Sequence, residues 1–320
     1  MPQTAREAPF VCLDDATLHG RLAEAHRRRL TPMLTPNHAE WQRWHEEDVA
    51  CRAAEHAWIE EERDQLRLEV RRVPRDADGF LSWFSALEAN GPGQGDELFP
   101  WLAHEASFED MCWFLQQEMA GEAGFDDLVA LSQLRLPPRA KLELARNYWD
   151  EMGQGTEGGM HGPMLARLGH SLPRAQEKPI WQTLALGNLM VALASQRGYA
   201  YQSLGALGVI ELTAPGRAQQ VNMGLKRLGF EGPLRRYYAL HATLDVRHSQ
   251  TWNREVLGPL VAECPDAAPL LAEGALLRLQ AGARCFECYR DRLMAPRSGT
   301  TARELLRGQA RLPQTTRRLG

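Results

Sequence analysis

The sequence lacks the features that would assign it to a membrane or to nucleic acid. No apolar stretch approaches the roughly 20 residues that span a bilayer, and the first residues lack the apolar core of a signal peptide. The net charge of −4 provides no positive excess for nucleic acid, and the basic run at residues 27–29 is typical of a solvated face. We therefore expect a cytoplasmic protein that binds neither nucleic acid nor a membrane.

Strand signals and paired cysteines are also scarce. The best β-like run, residues 68–73, is short and is equally consistent with the end of a helix. The six cysteines are dispersed along the chain, and Cys285 and Cys288 form its one C-x-x-C spacing. A zinc or redox motif would need a second pair or a thioredoxin-like βαβ context, and neither is present. We interpret most of the cysteines as small buried hydrophobic residues.

Helix-forming residues dominate the chain. Alanine, leucine, glutamate and arginine recur with apolar residues at three- and four-residue spacing, which predicts an all-α protein. We expect an N-terminal helical extension at 1–75, a catalytic helical domain at 76–295 and a basic, loosely ordered tail at 296–320. Helices are predicted at 15–33, 39–72, 98–103, 107–121, 124–134, 137–153, 160–170, 177–197, 198–213, 215–227, 231–256 and 266–294.

Three metal-ligand side chains recur at helical spacing near the end of the catalytic domain. His241, Asp245 and His248 stand at i, i+4 and i+7, so a helix places them on one face. Two tyrosines just before them indicate that this side of the helix is buried, where unpaired polar groups are costly. A metal ion such as iron, manganese or zinc would satisfy these groups. The alternative is that these polar side chains form a stripe on a solvent-exposed helix face. Three ligand-type residues on the same face make this alternative less favourable.

Upstream acids could complete such a site. Glu151 ends one predicted helix and His161 begins the next after a glycine-rich break, which lets both side chains aim at one point. Glu118 and Glu122 are i,i+4 neighbours on a predicted helix, and Glu118 follows a strongly apolar turn. The alternatives are an ordinary surface acid for Glu151 and a solvated acidic face for the other pair. Binuclear iron and manganese sites in helical bundles are built from such parts.

This set of residues resembles the heme-oxygenase-like diiron oxidases and oxygenases, also described as iron-containing redox enzymes. The resemblance covers roughly residues 80–290. It rests on the motif His241, Asp245 and His248, called the closing motif below, on the Glu151–His161 pair and on the run Gly205-Ala-Leu-Gly-Val-Ile-Glu211. It implies an all-α heme-oxygenase-like helical bundle that binds no heme. It also implies a ligand set of Glu118, Glu151, His161, His241, Asp245 and His248, with Glu122 as the rival of Glu118.

The resemblance further implies two Fe(II) ions, with manganese as the alternative at one site. The enzyme would use dioxygen to oxidise an amino-acid-like or fatty-acid-like small molecule in a biosynthetic pathway. An electron donor and a homodimer are further expectations. The family carries out several reaction types, and the sequence does not choose among them.

Two residues outside the ligand set are candidates for catalysis. Glu211 is a lone acid in an otherwise apolar helix, so it could support the metal ligands or contact a substrate amine. The alternative for Glu211 is a helix-end acid that faces water before Pro215. Tyr238 is a candidate for the wall of the pocket, although tyrosines in such helices commonly serve core packing.

Two other classes of function are consistent with the same pattern. One is a metal-free enzyme of this fold, similar to thiaminases and quinone-cofactor oxidases, which lack the dense ligand set. The other is a helical protein that binds metal without catalysis. The metal content of the protein distinguishes the metal-free enzyme from the diiron enzyme. Consumption of dioxygen distinguishes the diiron enzyme from the metal-binding protein without catalysis.

Overall fold

The fold is all-α, as the sequence predicts. The computed structural model describes residues 13–34 and 37–295, so the predicted tail at 296–320 lies outside the described residues. Within that part of the chain there is no strand, and a single antiparallel bridge joins Met152 and Met160. The helices are α1 Asp15–Leu30, α2 His38–Val70, α3 Ala77–Asn90, α4 Leu98–His104, α5 Phe108–Gly121, α6 Phe125–Ser132, α7 Pro138–Glu151, α8 His161–Ser171, α9 Trp181–Ser195, α10 Ala200–Arg227, α11 Gly232–Trp252, α12 Gly258–Glu263 and α13 Ala267–Leu293.

Helix boundaries follow local chemistry. At the start of α5, the Ser107 side chain accepts a hydrogen bond from the backbone N–H of Asp110, whose carboxylate accepts one from the N–H of Ser107. Asn37 and Glu40 form the same reciprocal cap on α2. Helix α7 begins at Pro138, where the missing N–H leaves no intrahelical bond unmade. The start at Pro138 thereby sets the position of α7, which carries Glu151 at its other end.

The prediction of two helices separated at Pro215 is wrong. Helix α10 runs without interruption from Ala200 to Arg227 with Pro215 inside it. A proline removes one intrahelical hydrogen bond, but the helix buries side chains on both sides of it, including Leu212 and Val221. Packing of α10 against α11, α13 and α4 therefore keeps one continuous helix at the centre of the fold.

Helices α10 and α13 cross with their backbones in close approach. A Cβ atom added to Gly274 would lie 1.8 Å from the carbonyl oxygen of Gln202, and one added to Gly205 would lie 1.8 Å from that of Leu271. Only glycine fits at both positions without moving a backbone. This crossing fixes the spacing between the two helices that carry Glu211 and Arg278.

We predict that Gly274→Ala destabilises the protein by about 2–4 kcal/mol, because the new methyl group would force the helix backbones apart. The matched control is Gly216→Ala, which lies in the same helix pair and meets nothing within 4 Å. Because alanine has the higher helix propensity, that control should be neutral or stabilising by up to about 1 kcal/mol. Urea unfolding measures both, and equal effects of the two variants would contradict the close crossing.

The N-terminal helices are held by buried polar groups as well as by apolar packing. Helix α1 packs on α9 and α2 packs on α13. The Asn188 side chain of α9 donates a hydrogen bond to the carbonyl oxygen of His19 (2.9 Å) and contacts Nδ1 of His26 through its oxygen (3.1 Å). His26 in turn pairs with the fully buried Glu55 of α2. Ile59 and Leu66 of α2 also join the main apolar core, and the domain boundary near residue 75 stays a prediction.

His19 is neutral in the folded state. Its ring stacks on Trp181 at 5.6 Å and meets Trp58 edge-on at 4.7 Å. Burial lowers the pKa of His19 from 6.5 to about 4. The unfolded chain therefore takes up a proton first as the pH falls, so the stability contributed by neutral His19 is complete above pH 6.5 and is lost toward pH 4.

We predict that His19→Gln flattens the pH dependence of unfolding in this window. The wild type should lose on the order of 3 kcal/mol more than the variant between pH 6.5 and 4, from the difference between the two pKa values. The exposed His45 provides the matched control, since His45→Gln should retain the wild-type slope. The measurement is the free energy of unfolding in urea at several pH values. Parallel curves for the wild type and His19→Gln would exclude this role.

Candidate metal centre

The end of α7 and the start of α8 bring Glu151 and His161 together. Gly153 and Gln154 adopt left-handed backbone conformations, with φ of 60° and 52°. A Cβ atom at Gly153 would lie 2.2 Å from the carbonyl carbon of Gly159, so the tight return needs glycine there. The chain folds back through two short 3-10 turns. The glycine-rich break was expected to bring Glu151 and His161 together. Their side chains are both buried and lie next to each other.

Helix α11 carries the closing motif on one face. Asp245 and His248 are buried, and His241 is half-buried. Nδ1 of His241 lies 3.1 Å from a carboxylate oxygen of Asp245. The ring of His161 meets that of His241 edge-on, with 4.7 Å between ring centroids. The motif therefore faces the same point as the α7–α8 junction.

The described part of the chain has two groups of three residues whose ligand atoms lie within 4.8 Å of one another. The first group is Glu151, His161 and His241, and the second is Glu151, Glu211 and His248. Glu151 belongs to both groups, so its carboxylate stands between them. This arrangement has the form of two adjacent cation sites that share one carboxylate.

Unsatisfied nitrogen atoms mark the first group. Nδ1 of His161 lies 2.6 Å from Oε2 of Glu151, but the angle between them is not that of a hydrogen bond, so this buried nitrogen has no partner. Nε2 of His241 is also buried without a partner. Buried polar atoms normally have a partner, and each exception needs an explanation. A cation between these nitrogens and the Glu151 carboxylate would satisfy both of them.

The second group is supported by a further layer of polar contacts. Nδ1 of His248 lies 3.4 Å from Oε2 of Glu211, and its Nε2 lies 3.2 Å from Oδ2 of Asp150. The Asn147 side chain donates a hydrogen bond of 2.6 Å to Glu211. A carboxylate on the far nitrogen of a ligating histidine fixes its tautomer and orientation. Asp150 is such a carboxylate, because it contacts Nε2 of His248.

The pKa values report a concentration of negative charge. Burial lowers the pKa of His248, but Glu211 and Asp150 outweigh burial and raise it to about 9. Burial likewise lowers the pKa of His241, while Asp245 and Glu151 raise it to about 9. Burial and the nearby Glu211 raise the pKa of Asp245. Protons on the two imidazoles therefore balance part of the negative charge that a bound cation would otherwise balance.

Glu118 and Glu122 fall outside both groups. Helix α5 ends at Gly121, and Glu122 is its C-cap residue, with its backbone N–H bonded to the carbonyl oxygen of Glu118. Both side chains line the same cavity. The Glu122 carboxylate accepts a hydrogen bond of 3.1 Å from the N–H of Phe125, at the start of α6. Glu211 occupies the second group instead. Its signal in the sequence was a lone acid within a buried apolar helix.

A cavity of about 150 Å³ adjoins the candidate metal centre. Its wall includes Glu151, Glu211, His241 and Asp245 from the centre, together with Tyr238. Its other lining residues are Phe99, Phe114, Glu118, Gly121, Glu122, Ala123, Phe125, Leu128, Leu165, Leu186, Met190, Ile210, Ala214, Arg217, Ala218, Val221, Tyr237 and Arg278. An engineered apolar cavity of similar size holds benzene. The space is therefore suited to a small organic molecule.

The helical architecture and the paired carboxylate–histidine groups define a class of helical metalloproteins. The sequence matches the family of iron-containing redox enzymes over residues 112–283, which is more than half of the 320 residues. The chain therefore belongs to this family, and the expected heme-oxygenase-like fold is confirmed.

Solved structures agree on the fold. Two crystal structures of a CADD-like protein of unknown function from Nostoc punctiforme PCC 73102 superimpose with TM-scores of 0.55 and 0.52 at 18% identity. Each covers 68% of this chain, and the match includes 99% and 96% of the relative's chain. No curated protein matches the sequence. In the described residues, none of the helices combines the length and apolar character needed to cross a bilayer.

Proposed function

We propose that the protein is a non-heme diiron oxidase or oxygenase that uses dioxygen to oxidise a small molecule. The observation that carries this proposal is the position of Glu151 in both ligand groups. Helical bundles hold pairs of iron or manganese ions with carboxylates and histidines that project inward from facing helices. A carboxylate common to two three-residue groups places the two candidate sites side by side. Membership in a family of iron-containing redox enzymes supports iron as the metal.

The donor atoms fit such a pair. Imidazole nitrogens and carboxylate oxygens suit ferrous iron, with manganese as the alternative at one position. We propose His161 and His241 as ligands on one side, Glu211 and His248 on the other, and Glu151 between them. Asp245, which contacts His241, completes the set. Glu211 thus takes the place that the sequence analysis gave to Glu118, because its oxygen atoms reach His248 and Glu151.

Two ferrous ions at this position would supply the electrons that dioxygen requires and that amino-acid side chains do not provide. Asp150 holds Nε2 of His248, which leaves Nδ1 directed toward Glu211. Asn147 fixes the Glu211 carboxylate by a hydrogen bond. Apolar lining such as Phe114 and Leu186 restricts water around the substrate. These residues keep the donor atoms in place while the oxidation takes place in the cavity.

Tyr238 stands in the cavity wall as a proton-bearing group. It is buried, and its burial together with Glu118 and Glu122 raises the pKa of its hydroxyl well above the usual range. The hydroxyl therefore remains protonated near neutral pH and is available to donate a hydrogen bond to substrate. We propose this positioning role for Tyr238.

The cavity favours catalysis over metal storage. A protein that only binds metal needs no organic-sized space beside the ions, whereas an oxidase must place a substrate there. A biosynthetic role in the cytoplasm, an external electron donor and a homodimer complete the proposal.

We predict that the protein binds about two ferrous ions per chain when it is loaded without oxygen, as in binuclear helical bundles. Glu151→Gln and Glu211→Gln should each bind fewer than about one ion, because each change removes a ligand from a closely coupled pair. Glu118→Gln, a neighbouring cavity acid outside both groups, should keep the wild-type metal content. Metal analysis measures the content, and stopped-flow absorbance with oxygen measures the reaction.

Two results would contradict the metal assignment. If Glu118→Gln lost iron while Glu211→Gln retained it, the ligand would be Glu118 and the present assignment would be wrong. A wild type that binds iron but does not react with oxygen would support a protein that binds metal without oxygen chemistry.

We predict that Asp150→Asn lowers iron affinity by about 10–100-fold while the fold is retained, because His248 loses the carboxylate that orients it. Asp64→Asn is the matched control, since this exposed acid pairs only with Arg67 on the surface of α2. Competition with a chelator measures the affinities, and circular dichroism checks the fold. Equal affinities for both variants would remove Asp150 from the site.

A further inference from the structure

Asp150 connects the candidate metal centre to the surface of the protein. Its side chain is partly exposed, whereas the side chain of His248 is buried. Oδ2 of Asp150 lies 3.2 Å from Nε2 of His248, and Nδ1 of the same ring faces Glu211 at 3.4 Å. One carboxylate and one imidazole therefore separate the solvent from the second group of candidate ligands.

Four exposed arginines lie on the two packed helical segments that carry Asp150 and His248. Two of them are on α7, and two are on the end of α11 and the π-helical turn Asn253–Leu257 that follows it. They are Arg139, Arg146, Arg247 and Arg254, which we call the arginine surface. In each segment the two arginines are seven residues apart, so they share one helix face.

Contacts between the two segments fix how the arginines are arranged. At one end, Arg139 donates a hydrogen bond of 2.6 Å to the Glu255 carboxylate and one of 3.2 Å to the carbonyl oxygen of Arg254. At the other end, Asp150 contacts His248, and the nearby Arg247 acts on Asp150 through its charge. The segments therefore run antiparallel, and the arginine surface forms two rows beside Asp150.

Solvent meets these arginines rather than the acids beside them. Three members of the arginine surface have side chains that are 57%, 67% and 67% exposed. The acids that pair with them, Glu143 and Glu255, are only 8% and 21% exposed. The fourth member, Arg247, is exposed and forms no ion pair among the described residues. The surface is therefore locally positive, although the net charge of the chain is −4.

Exposed apolar side chains accompany the arginines. Leu142 and Trp149 are exposed on α7, and Arg146 lies between them on the same helix face. Val246 is exposed next to Arg247 on α11. Aromatic residues and arginine are enriched in protein–protein interfaces and contribute most of their binding energy. This composition favours a protein partner over a purely electrostatic ligand.

We propose that the arginine surface docks a small acidic electron-transfer protein, which delivers electrons to the candidate metal centre by way of Asp150 and His248. This choice of partner rests on the proposed diiron function, which includes an external electron donor. Each encounter transfers one electron, so that the carrier is oxidised and one ferric ion becomes ferrous. Two encounters regenerate the ferrous pair. An acidic carrier fits because attraction between opposite charges speeds the formation of such transient complexes.

Binding of an oxidised carrier tests the docking surface without turnover. The probes are an acidic [2Fe–2S] ferredoxin and, as its opposite in charge, a basic c-type cytochrome. Biolayer interferometry under nitrogen measures their binding to the iron-loaded protein and, in parallel, to the metal-free protein. We expect only the ferredoxin to bind. Its association rate should fall as the ionic strength rises from about 0.01 M to about 0.15 M, because the Debye length shrinks from about 30 Å to about 8 Å.

Variants of α11 assign the binding to the arginine surface. Arg247→Glu should weaken ferredoxin binding by about tenfold at low ionic strength, because repulsion replaces attraction. Arg247→Lys should retain most of the affinity, since it keeps the charge. The matched control is Arg236→Glu, because Arg236 is another exposed arginine of α11 without an ion pair among the described residues. It lies about 16 Å along the helix from Arg247.

A second readout tests electron delivery. Stopped-flow absorbance follows the reduction of the oxidised, iron-loaded protein by reduced ferredoxin and, separately, by the methyl viologen radical cation. Arg247→Glu should slow reduction by ferredoxin about tenfold. It should not slow reduction by methyl viologen, because a small cation gains nothing from a positive surface. Arg247→Glu breaks no ion pair, so its melting temperature should equal that of the wild type.

Several results would overturn the proposal. They are the absence of ferredoxin binding, binding that does not respond to salt, and equal effects of Arg247→Glu and Arg236→Glu. Phosphatidylglycerol vesicles and duplex DNA are tested as other anionic partners. Binding of either that depends on Arg247, in place of ferredoxin binding, would also overturn it.

Failure of the diiron function gives a different result. If the wild type bound no iron but the metal-free protein bound ferredoxin in a manner that depends on Arg247, the docking surface would stand and the diiron function would fall. If iron bound and reacted with oxygen while ferredoxin did not bind, the diiron function would stand and the docking surface would fall.

Discussion

The unbalanced charge around Glu151 is the constraint on which the centre of this fold depends. Three carboxylates and three imidazoles converge from α7, α8, α10 and α11 into a buried space. Without a cation, His241 and His248 retain protons well above the usual pKa of histidine. Burial of such a cluster is unfavourable unless a counter-charge accompanies it. This arrangement therefore favours a bound cation at the proposed metal site.

The rest of the structure makes that convergence rigid. The crossing of α10 and α13 at Gly205 and Gly274 sets the position of Glu211. The left-handed turn at Gly153 returns the chain so that His161 faces Glu151. Asp150 and Asn147 then orient the side chains themselves. The helix crossing thus fixes the spacing of the helices, the turn fixes the direction of the chain, and the side-chain contacts fix the orientation of the ligands and the tautomer of His248.

The sequence predicted the class of fold because helix periodicity and capping are local properties. It also predicted the α11 motif, since spacing within one helix decides which side chains share a face. It could not place Glu211 relative to Glu118, because this depends on how α5 and α10 pack against the same helices. Pro215 failed as a boundary for the same reason: local propensity indicated a break, and burial along α10 outweighed it. Contacts between distant segments are the part that one sequence does not reveal.

The cavity wall contains two charged regions, one formed by the candidate metal ligands and one formed by arginines. At one side, excess negative charge attracts cations and matches the redox metals of the family. At the other, Arg217 and Arg278 line the cavity, and among the described residues neither arginine forms an ion pair with a carboxylate. If the arginines were paired directly with Glu151 or Glu211, they would compete with the metal for its ligands. Without such pairing, the Glu151 and Glu211 carboxylates stay available to the proposed metal ions.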